Sequence, residues 1–484
     1  MNKYKNSIII YLSALFSSLI VYGYELTNFT MSVDEEFSDN FNNTISLGRW
    51  GHAFLKVFIL PEPYVPFFTT LLSLAALSLA AFLTARLLKL DTFNASILAV
   101  LYISLPQFAY QLEFSNQSDT VSIALVASTL AVHYFLKGKQ RILSFRTFIA
   151  VVLYTLSISV YQSFAILPIV IYIAYITTEN IRARYTIADN LMNLIRFGAI
   201  AATATIIYYC LNGYIQSKLG LSSTYLQNKV GWDFSDINNS IVQDIEYVIS
   251  YFNGRSYFGL KIYSTTMLAY GVVVAKLFMR RQITTSNLLL PALLLISPMI
   301  MIAALCSNLP PRTMLGLSVS FSVIITLSLM DIHSNAVKIG VAAIALAIGC
   351  ANSSKLFYSD MMAYKSDSNN ARFIMQSIYN KYPDFSPSKT PVYFYGGYYT
   401  VKTWKIDNSD TFGGTIFSWN GGVNKRIHEF LRAEGIADLK MIAPKDVNKF
   451  RGYAVNHPQW PHDDSVQLKD GVLIVRLGRL PGRD

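Results

Sequence analysis

Long apolar runs, separated by short polar segments, constrain this chain most strongly. A helix needs about 20 apolar residues to cross a bilayer, because it rises about 1.5 Å per residue across about 30 Å of hydrocarbon. Runs of this length lie near residues 7–24, 65–86, 93–111, 119–136, 191–211, 261–279, 287–306, 313–330 and 336–352. Only 14% of the 484 residues are charged, against about 25% in a soluble domain. The pattern predicts a polytopic α-helical membrane protein.

The apolar stretch 147–177 needs a separate interpretation, because it is too long for one crossing and short for two. The polar sequence Tyr161-Gln162-Ser163 lies in its middle, and basic residues flank both ends. Two short helices that meet at this break keep the flanking charges on one side of the membrane, which a single long helix does not. With two helices here, the sequence predicts about eleven transmembrane spans.

Basic residues are divided unequally between the two sides that these spans create. One side carries thirteen Lys and Arg, whereas the other, without the C-terminal tail, carries seven Lys and Arg and twelve Asp and Glu. The thirteen are Lys3, Lys5, Arg86, Lys89, Lys137, Lys139, Arg141, Arg146, Arg182, Arg184, Arg280, Arg281 and Lys338. The positive-inside rule makes their side cytoplasmic. We therefore expect a cytoplasmic N-terminus, an external tail, and long external segments at 25–63 and 213–261.

The last part of the chain has the composition of a soluble sequence, so we expect a transmembrane domain over 1–352 and a soluble domain over 353–484. Helical patterns at 359–382, 424–433 and 444–450 alternate with strand patterns at 392–395, 439–442 and 472–477. This alternation favours a small α/β domain built on a short sheet.

Three consecutive carboxylates, Asp34, Glu35 and Glu36, lie in the first external segment. A carboxylate at the membrane edge could take a proton from an acceptor hydroxyl, or hold a divalent cation near a phosphate. The alternative is a solvated acidic loop without a chemical role.

A cation and a broad aromatic face follow at Arg49 and Trp50. Arg can hold a phosphate through two hydrogen bonds, and a sugar can stack on an indole face. The alternative is an interfacial anchor, since Trp and Arg both favour that zone. Apolar residues from Phe41 to Phe58 recur mostly at intervals of three and four, which predicts a helix lying flat at the membrane surface.

Other polar residues fall at the external ends of predicted spans: Asn116, Asp119, Tyr161, Gln162 and Arg312. Each alone is typical of a loop. Acids, amides and a cation on one membrane face are, however, the mixture that a reactive cavity needs.

Several classes of function are disfavoured. The sequence has no Gly-rich phosphate loop, no His/Cys metal spacing and no Gly-x-Ser-x-Gly elbow, and no basic motif typical of nucleic-acid binding despite its net charge of +11. No charged residue lies in the middle of a predicted span except Arg196 and Lys276, both within a turn or two of the cytoplasmic edge, whereas ion-coupled transporters usually need buried ionisable groups.

Short motifs in a particular order point to a known family. They are Val33-Asp34-Glu35-Glu36, Gly48-Arg49-Trp50, the Tyr161-Gln162 break, and Gln459-Trp460-Pro461 with Ser465-Val466 in the tail. In these features, and over nearly its whole length, the chain resembles the phage-type O-antigen glucosyltransferases. These are the serotype-converting enzymes of the Gtr group, which have the architecture of GT-C glycosyltransferases.

The resemblance implies an enzyme of the bacterial inner membrane. It would transfer glucose from undecaprenyl-phosphate-glucose to a sugar hydroxyl of lipid-linked O-antigen on the periplasmic face. An acidic residue of the first external loop would act as base, which by position is Asp34, followed by Glu35, with Glu36 adjacent. A single base without a carboxylate nucleophile implies inversion at the anomeric carbon.

The remaining candidates take roles from the same resemblance. Arg49 or Arg312 would stabilise the departing lipid phosphate, and the sugar-binding candidates are Trp50, Tyr161, Gln162, Asn116 and Asp119. The sequence requires no cofactor and leaves a divalent metal open. Two rival functions remain, a polytopic transporter or flippase and an O-antigen polymerase, and glucose on the polymer would distinguish the first reading from both.

Overall fold

The structure of the protein is a computed structural model that describes residues 2–37, 40–60, 65–183, 185–222, 230–399 and 402–480. Arg184 and parts of the predicted external segments 25–63 and 213–261 lie outside the described residues. The chain divides into two compact units. Unit 1 comprises Met1–Thr27 and Phe41–Lys355, and unit 2 comprises Asn28–Asn40 and Leu356–Asp484.

Unit 1 is helical throughout the described residues. Its helices are α1 (Asn2–Tyr22), α2 (Tyr24–Thr27), α3 (Phe41–Ser46), α4 (Trp50–Phe58), α5 (Pro66–Leu87), α6 (Thr92–Ser104), α7 (Ala109–Leu112), α8 (Ser115–Lys137), α9 (Phe145–Val160), α10 (Leu167–Ala183), α11 (Ile187–Lys218), α12 (Ile237–Asn253), α13 (Thr265–Met279), α14 (Thr285–Ile296), α15 (Ile300–Leu305) and α16 (Leu317–Leu329). Helix α17 (Asn335–Lys381) begins in unit 1 and continues into unit 2.

Several helices begin at a side-chain cap that their sequence supplies. Asp91 accepts hydrogen bonds from two backbone N–H groups of α6, and Ser144 and Thr284 each accept one at the start of α9 and α14. Thr186 forms a capping box with Asp189 at the start of α11. These oxygens satisfy N–H groups that have no partner within the helix.

The protein is a mostly helical membrane protein. Among the described residues, eight helices are long and apolar enough to cross a membrane: Tyr4–Tyr22, Pro66–Leu87, Ser115–Lys137, Gln162–Ala183, Ile187–Lys218, Leu260–Met279, Thr285–Leu305 and Asn335–Lys381. The helical pair Thr92–Ser104 and Pro106–Leu112, bent by 40°, supplies a ninth if it is one broken span. Two shorter apolar helices, Phe145–Val160 and Leu317–Leu329, complete the apolar segments that the sequence predicts.

The predicted break at Tyr161-Gln162 is confirmed. Helix α9 ends at Val160, a 3₁₀ turn covers Gln162–Ala165, and α10 starts at Leu167. The single surface helix predicted over 41–58 is wrong in detail, because two helices, α3 and α4, flank a break at Leu47–Arg49. Gly48 has φ +80 at that break, a left-handed conformation that favours glycine and ends α3.

Unit 2 is built around the second half of α17 and a three-stranded sheet. Its other helices are α18 (Asn424–Ala433) and α19 (Val447–Ala454), and its strands are β1 (Val392–Tyr395), β2 (Val466–Lys469) and β3 (Val472–Arg476). The sheet order is β1-β3-β2, with β3 parallel to β1 and antiparallel to β2. One face packs on α17 and α18 through Ile374, Phe394 and Phe430, which belong to one buried apolar cluster.

Three predictions for this part of the chain need correction. The strand predicted at 439–442 is a single bridge between Met441 and Val392, because the chain turns at Pro444, which starts a 3₁₀ turn. The helix predicted over 359–382 is the end of the 47-residue α17, since no proline interrupts the chain after the last apolar run. The helix predicted at 444–450 begins later, at Val447.

Candidate active site

The polar residues of α4 face inward, towards α8. Lys56 Nζ lies 2.9 Å from Asp119 Oδ2, and both side chains are buried. His52 Nδ1 lies 2.8 Å from Thr120 Oγ1. Their spacing of four residues places His52 and Lys56 on one face of the helix, and the apolar residues Phe54, Val57 and Phe58 are exposed on the other. Burial, together with the nearby cations, lowers the pKa of His52 to about 3, so its imidazole is neutral at neutral pH.

The backbone before α4 is held by side chains from α9–α10 and α11. Gln162 Nε2 donates to the carbonyl of Leu47 at 2.6 Å and to the hydroxyl of Tyr208 at 3.1 Å. Tyr208 in turn donates to the carbonyl of Gly48 at 2.9 Å. A Cβ at Gly48 would approach both side chains to 2.7 Å. Gln162 therefore has a structural role here, and its proposed contact with sugar stays a prediction.

Arg49 follows this hydrogen-bonded segment, and its side chain lies between α8 and the break after α9. Its Nη1 donates to Gln117 Oε1 at 3.2 Å, and its guanidinium carbon lies 4.6 Å from the centre of the Tyr161 ring. Such a contact orients the guanidinium plane against the aromatic face. The structure thus brings Arg49 and Tyr161, both sequence candidates, into one cluster.

Three buried polar atoms near this cluster have no hydrogen-bond partner within the described part of the chain: Arg49 Nε, Trp50 Nε1 and Asn212 Oδ1. An unsatisfied buried polar group costs about 1–3 kcal/mol, and native structures contain few of them. Two donors and an acceptor in this arrangement could pair with a phosphate oxygen and a sugar hydroxyl. Asn212 was not a sequence candidate, since a lone amide near the end of an apolar run gives no signal.

Trp50 also lines an apolar cavity of about 630 Å³. The cavity follows α9 from Thr147 to Leu156 and α11 from Ile200 to Leu211. Gly51 packs against Ser159 near the end of α9, so Trp50 lies at that end of the cavity. Ten of the fourteen lining residues are aliphatic or aromatic and the other four are Ser or Thr, a mostly apolar lining that suits a hydrocarbon chain better than a sugar.

The other candidates of unit 1 lie around the start of α8. Arg312 has its guanidinium carbon 5.2 Å from the centre of the Phe114 ring, and Asn116, in the first turn of α8, is half-buried. Asp119 lies one turn further and is paired with Lys56. Lys56 was not among the sequence candidates, although its spacing of four residues from His52 in a mostly apolar segment was a usable signal.

The acidic stretch of the first external segment belongs to unit 2. Met31 and Val33 are part of the buried cluster that holds Phe394 and Phe430. Ser32 donates through its hydroxyl to Asp360 of α17, whose other oxygen accepts from the backbone N–H of Gly413 at 3.1 Å. This alternation of core and hydrogen-bonded residues fixes the stretch before its carboxylates begin.

The three carboxylates have different surroundings. Asp34 keeps 56% of its side chain exposed, whereas the Glu36 side chain is fully buried. Glu35 is also buried, and its Oε2 accepts from the backbone N–H of Ser32 at 2.8 Å, which closes a local turn. Asp34 has φ +81, a left-handed conformation that non-glycine residues rarely adopt and that is found more often at functional sites.

Arg426 of α18 forms ion pairs with both Asp34 and Glu36. Its guanidinium also lies 5.3 Å from the centre of the Phe37 ring. No local pattern predicts these pairs, because about 390 residues separate the partners. Within the described ranges, no group of three or more His, Cys, Asp and Glu residues has an arrangement that could hold a metal ion.

Comparison with known proteins identifies the family of the protein. A family model described as glucosyl transferase GtrII matches residues 23–332. The chain belongs to the GtrII glucosyl transferase family. The expected membership of the Gtr group is thereby confirmed, and the protein is a glycosyltransferase. No curated protein and no solved structure matched the chain.

The match to the GtrII family includes the acidic stretch, the Arg49–Trp50 segment, the Tyr161–Gln162 break and Arg312. As a member of this family, the enzyme acts on a sugar donor and a sugar acceptor. The part of the tail after residue 332, which contains Arg426, lies outside the match.

One prediction concerns the titration of Glu36 in this GtrII family member. Burial raises the pKa of Glu36 from 4.5 to about 7, while Arg426 opposes the increase. The folded protein therefore holds this proton more tightly than the unfolded chain, and stability falls as pH rises between 4.5 and 7. Glu36→Gln removes the titrating group, so its thermal unfolding midpoint in detergent should fall less than that of the wild type between pH 5 and 8. Parallel curves for the two proteins would contradict the assignment.

Proposed function

We propose that the enzyme transfers a glucosyl residue from undecaprenyl-phosphate-glucose to a sugar hydroxyl of lipid-linked O-antigen, on the periplasmic face of the bacterial inner membrane. The membership of a glucosyl transferase family establishes the class of reaction. The donor, the acceptor, the membrane and the stereochemical outcome belong to the proposal.

One observation supports the lipid-linked donor above all. The unpartnered donor atoms Arg49 Nε and Trp50 Nε1 lie in the segment where Trp50 lines one end of a long apolar cavity. From Thr147 to Leu156 the lining of α9 extends about 14 Å. A donor with an anionic, sugar-bearing head and a hydrocarbon chain matches both features. A nucleotide sugar has no hydrocarbon chain that could fill the apolar cavity.

The chemical roles follow from charge development in the reaction. The bond between glucosyl C1 and the phosphate oxygen breaks, and a bond from the acceptor oxygen to C1 forms. Asp34 takes the acceptor proton, and Arg49 stabilises the negative charge that grows on the departing lipid phosphate. Arg312 is the second candidate for the phosphate. Displacement without a covalent intermediate inverts the anomeric configuration, so a β-linked donor gives an α-glucoside.

Asp34 is preferred over its two neighbours because of their surroundings. Glu36 is fully enclosed and paired with Arg426, and Glu35 closes a turn with Ser32. Asp34 is the carboxylate of the three whose side chain remains largely exposed, as a base that meets a polysaccharide hydroxyl must be. The sugar-binding roles proposed for Trp50, Tyr161, Gln162, Asn116 and Asp119 rest on the family resemblance and on their residue types.

The topology proposed here has eleven spans, a cytoplasmic N-terminus and a periplasmic C-terminal α/β domain. The two short apolar helices α9 and α16 would cross together with the bent pair and the eight longer helices. All residues of α16 are buried in unit 1, so neighbouring helices rather than lipid surround it. The excess of Lys and Arg on one side supports the orientation.

Substitution of Arg49 tests the donor site. Arg49→Gln removes a charged hydrogen-bonding group worth about 1.5–3 kcal/mol, so we expect kcat/KM for the lipid-linked donor to fall by roughly 10-fold or more. Arg49→Lys keeps the charge but loses the planar guanidinium, so its kcat/KM should lie between those of the wild type and Arg49→Gln. The matched control is Lys218→Gln, an exposed residue at the end of α11, which should leave kcat/KM unchanged. An unchanged kcat/KM for the donor in Arg49→Gln would refute the site.

A further inference from the structure

We propose that Arg426 is a positioning residue for the transfer reaction: its single guanidinium fixes Asp34 against Glu36 and so holds the base in its working orientation. This inference rests on the proposed role of Asp34. It extends that role to α18, a helix of the C-terminal tail more than 380 residues away in sequence.

The first support is that the two terminal nitrogens of the Arg426 guanidinium donate to different carboxylates. Nη2 of Arg426 donates to Asp34 Oδ1, and Nη1 donates to Glu36 Oε1. Two nitrogens fixed in one plane set the separation and the relative orientation of the two acids. A lysine has a single nitrogen on a flexible stem and cannot impose this geometry.

The second support is the unequal burial of the three groups. The Arg426 side chain is 11% exposed and Glu36 is fully enclosed, whereas Asp34 is 56% exposed. The pair with Glu36 therefore lies in the protected interior, where electrostatic interactions are stronger, and the pair with Asp34 lies at the surface. Glu36 anchors the arginine, and the arginine directs the accessible acid.

The third support is the turn that carries Asp34. Glu35 N donates to the carbonyl of Ser32 at 3.1 Å, and Ser32 N donates to Glu35 Oε2. Asp34 occupies this turn with φ +81. A conformation of this kind is strained and persists where its surroundings impose it, and Arg426 contacts both acids that flank Glu35.

The guanidinium itself is held from a second direction. The Phe37 ring has the Arg426 guanidinium 5.3 Å from its centre and the Lys425 Nζ 5.5 Å from it. The aromatic face restricts rotation of the arginine without competing for its N–H groups. Glu36 and Phe37 therefore constrain Arg426 together. Its second terminal nitrogen, Nη2, then donates to Asp34.

Kinetics of the full-length enzyme in nanodiscs test the inference. Arg426→Gln should lower kcat by about 10- to 100-fold, because a displacement of about 1 Å in a reacting group can cost about 10²-fold. KM for undecaprenyl-phosphate-glucose should change less than threefold, since Arg426 is not assigned to the donor. The kcat of Arg426→Lys should remain closer to that of Arg426→Gln than to that of the wild type on a logarithmic scale.

The control is Arg432→Gln on the same helix. Arg432 pairs with Glu429, so this variant also removes an arginine–carboxylate pair of α18, but one that does not involve the acidic stretch. Its kcat should stay within twofold of the wild type. If the loss came only from weakening α18, kcat would fall equally in both variants, and this result would overturn the inference.

A double-mutant cycle distinguishes positioning from a loss of folding. If Arg426 acts through the contact with Glu36, the double variant Glu36→Gln/Arg426→Gln should be no slower than Arg426→Gln alone. Additive losses would overturn the inference. Should Arg426→Gln fail to fold, Arg426→Lys and its cycle with Glu36→Gln provide the same comparison.

The outcome for Asp34 separates this inference from the proposed function. If Asp34→Asn is inactive while Arg426→Gln keeps the wild-type kcat, Arg426 is not a positioning residue and the base assignment stands. If Asp34→Asn is fully active, the base assignment itself fails, whatever the arginine variants show.

Discussion

Asp34→Asn is expected to reduce glucosyl transfer by about 10²–10⁴-fold, the contribution typical of a positioned general base. The amide has nearly the same shape as the carboxylate and can still accept a hydrogen bond from Arg426 through its oxygen. It cannot accept the proton of the acceptor hydroxyl. The measurement is the glucose content of O-antigen made in membranes that contain equal amounts of each protein.

Glu35→Gln is the matched control for this substitution. The amide oxygen can still accept the hydrogen bond from Ser32 N that Glu35 accepts in the structure, so the turn is preserved and activity should stay within about threefold of the wild type. If Glu35→Gln were inactive and Asp34→Asn active, the base would be Glu35. Full activity in both variants would remove the base hypothesis.

Breaking the buried pair between Lys56 and Asp119 should cause the largest loss of stability. Asp119→Asn leaves the Lys56 ammonium buried without a counter-charge, and removal of one partner of a buried ion pair costs about 3–5 kcal/mol. The thermal unfolding midpoint of the purified protein in detergent should fall by several degrees or more.

The double variant Lys56→Met/Asp119→Leu is the informative comparison. It removes both charges and fills their space with apolar groups, which is often neutral or stabilising at buried pairs. Its unfolding midpoint should therefore recover most of the loss seen in Asp119→Asn. A double variant as unstable as the single one would show that the ion pair itself, rather than the avoidance of an unpaired charge, stabilises the junction of α4 and α8.

Local sequence patterns predicted local structure well. The helix at 424–433 and the strand at 392–395 have the predicted bounds, because amphipathic periodicity and a run of β-branched and aromatic residues act over a few neighbours. The break at Tyr161-Gln162 followed from polarity inside an apolar run. Strand β2 was not predicted, since Val466–Lys469 has only four residues, two of them polar, and is ordered by its pairing with β3.

The arrangement of the candidate site depends on contacts that no local pattern contains. The residues Asp34, Arg49 and Trp50 were found from the chemistry of their side chains. The ion pairs of Arg426 with the acidic stretch join positions about 390 residues apart, and the assignment of 28–40 to unit 2 follows from the packing of Met31 and Val33 in its core. Such pairings are set by tertiary packing, and a single sequence carries no signal for them.

The most direct test of the proposed function is a transfer assay with purified protein in nanodiscs. The donor is undecaprenyl-phosphate-glucose labelled in the sugar, the acceptor is lipid-linked O-antigen, and no nucleotide sugar is present. We predict that label moves to the acceptor with an α-glucosidic bond and that Asp34→Asn lowers the rate of this transfer by about 10²–10⁴-fold. Transfer that requires a nucleotide sugar, or none from the lipid-linked donor under conditions where the protein is folded, would contradict the account.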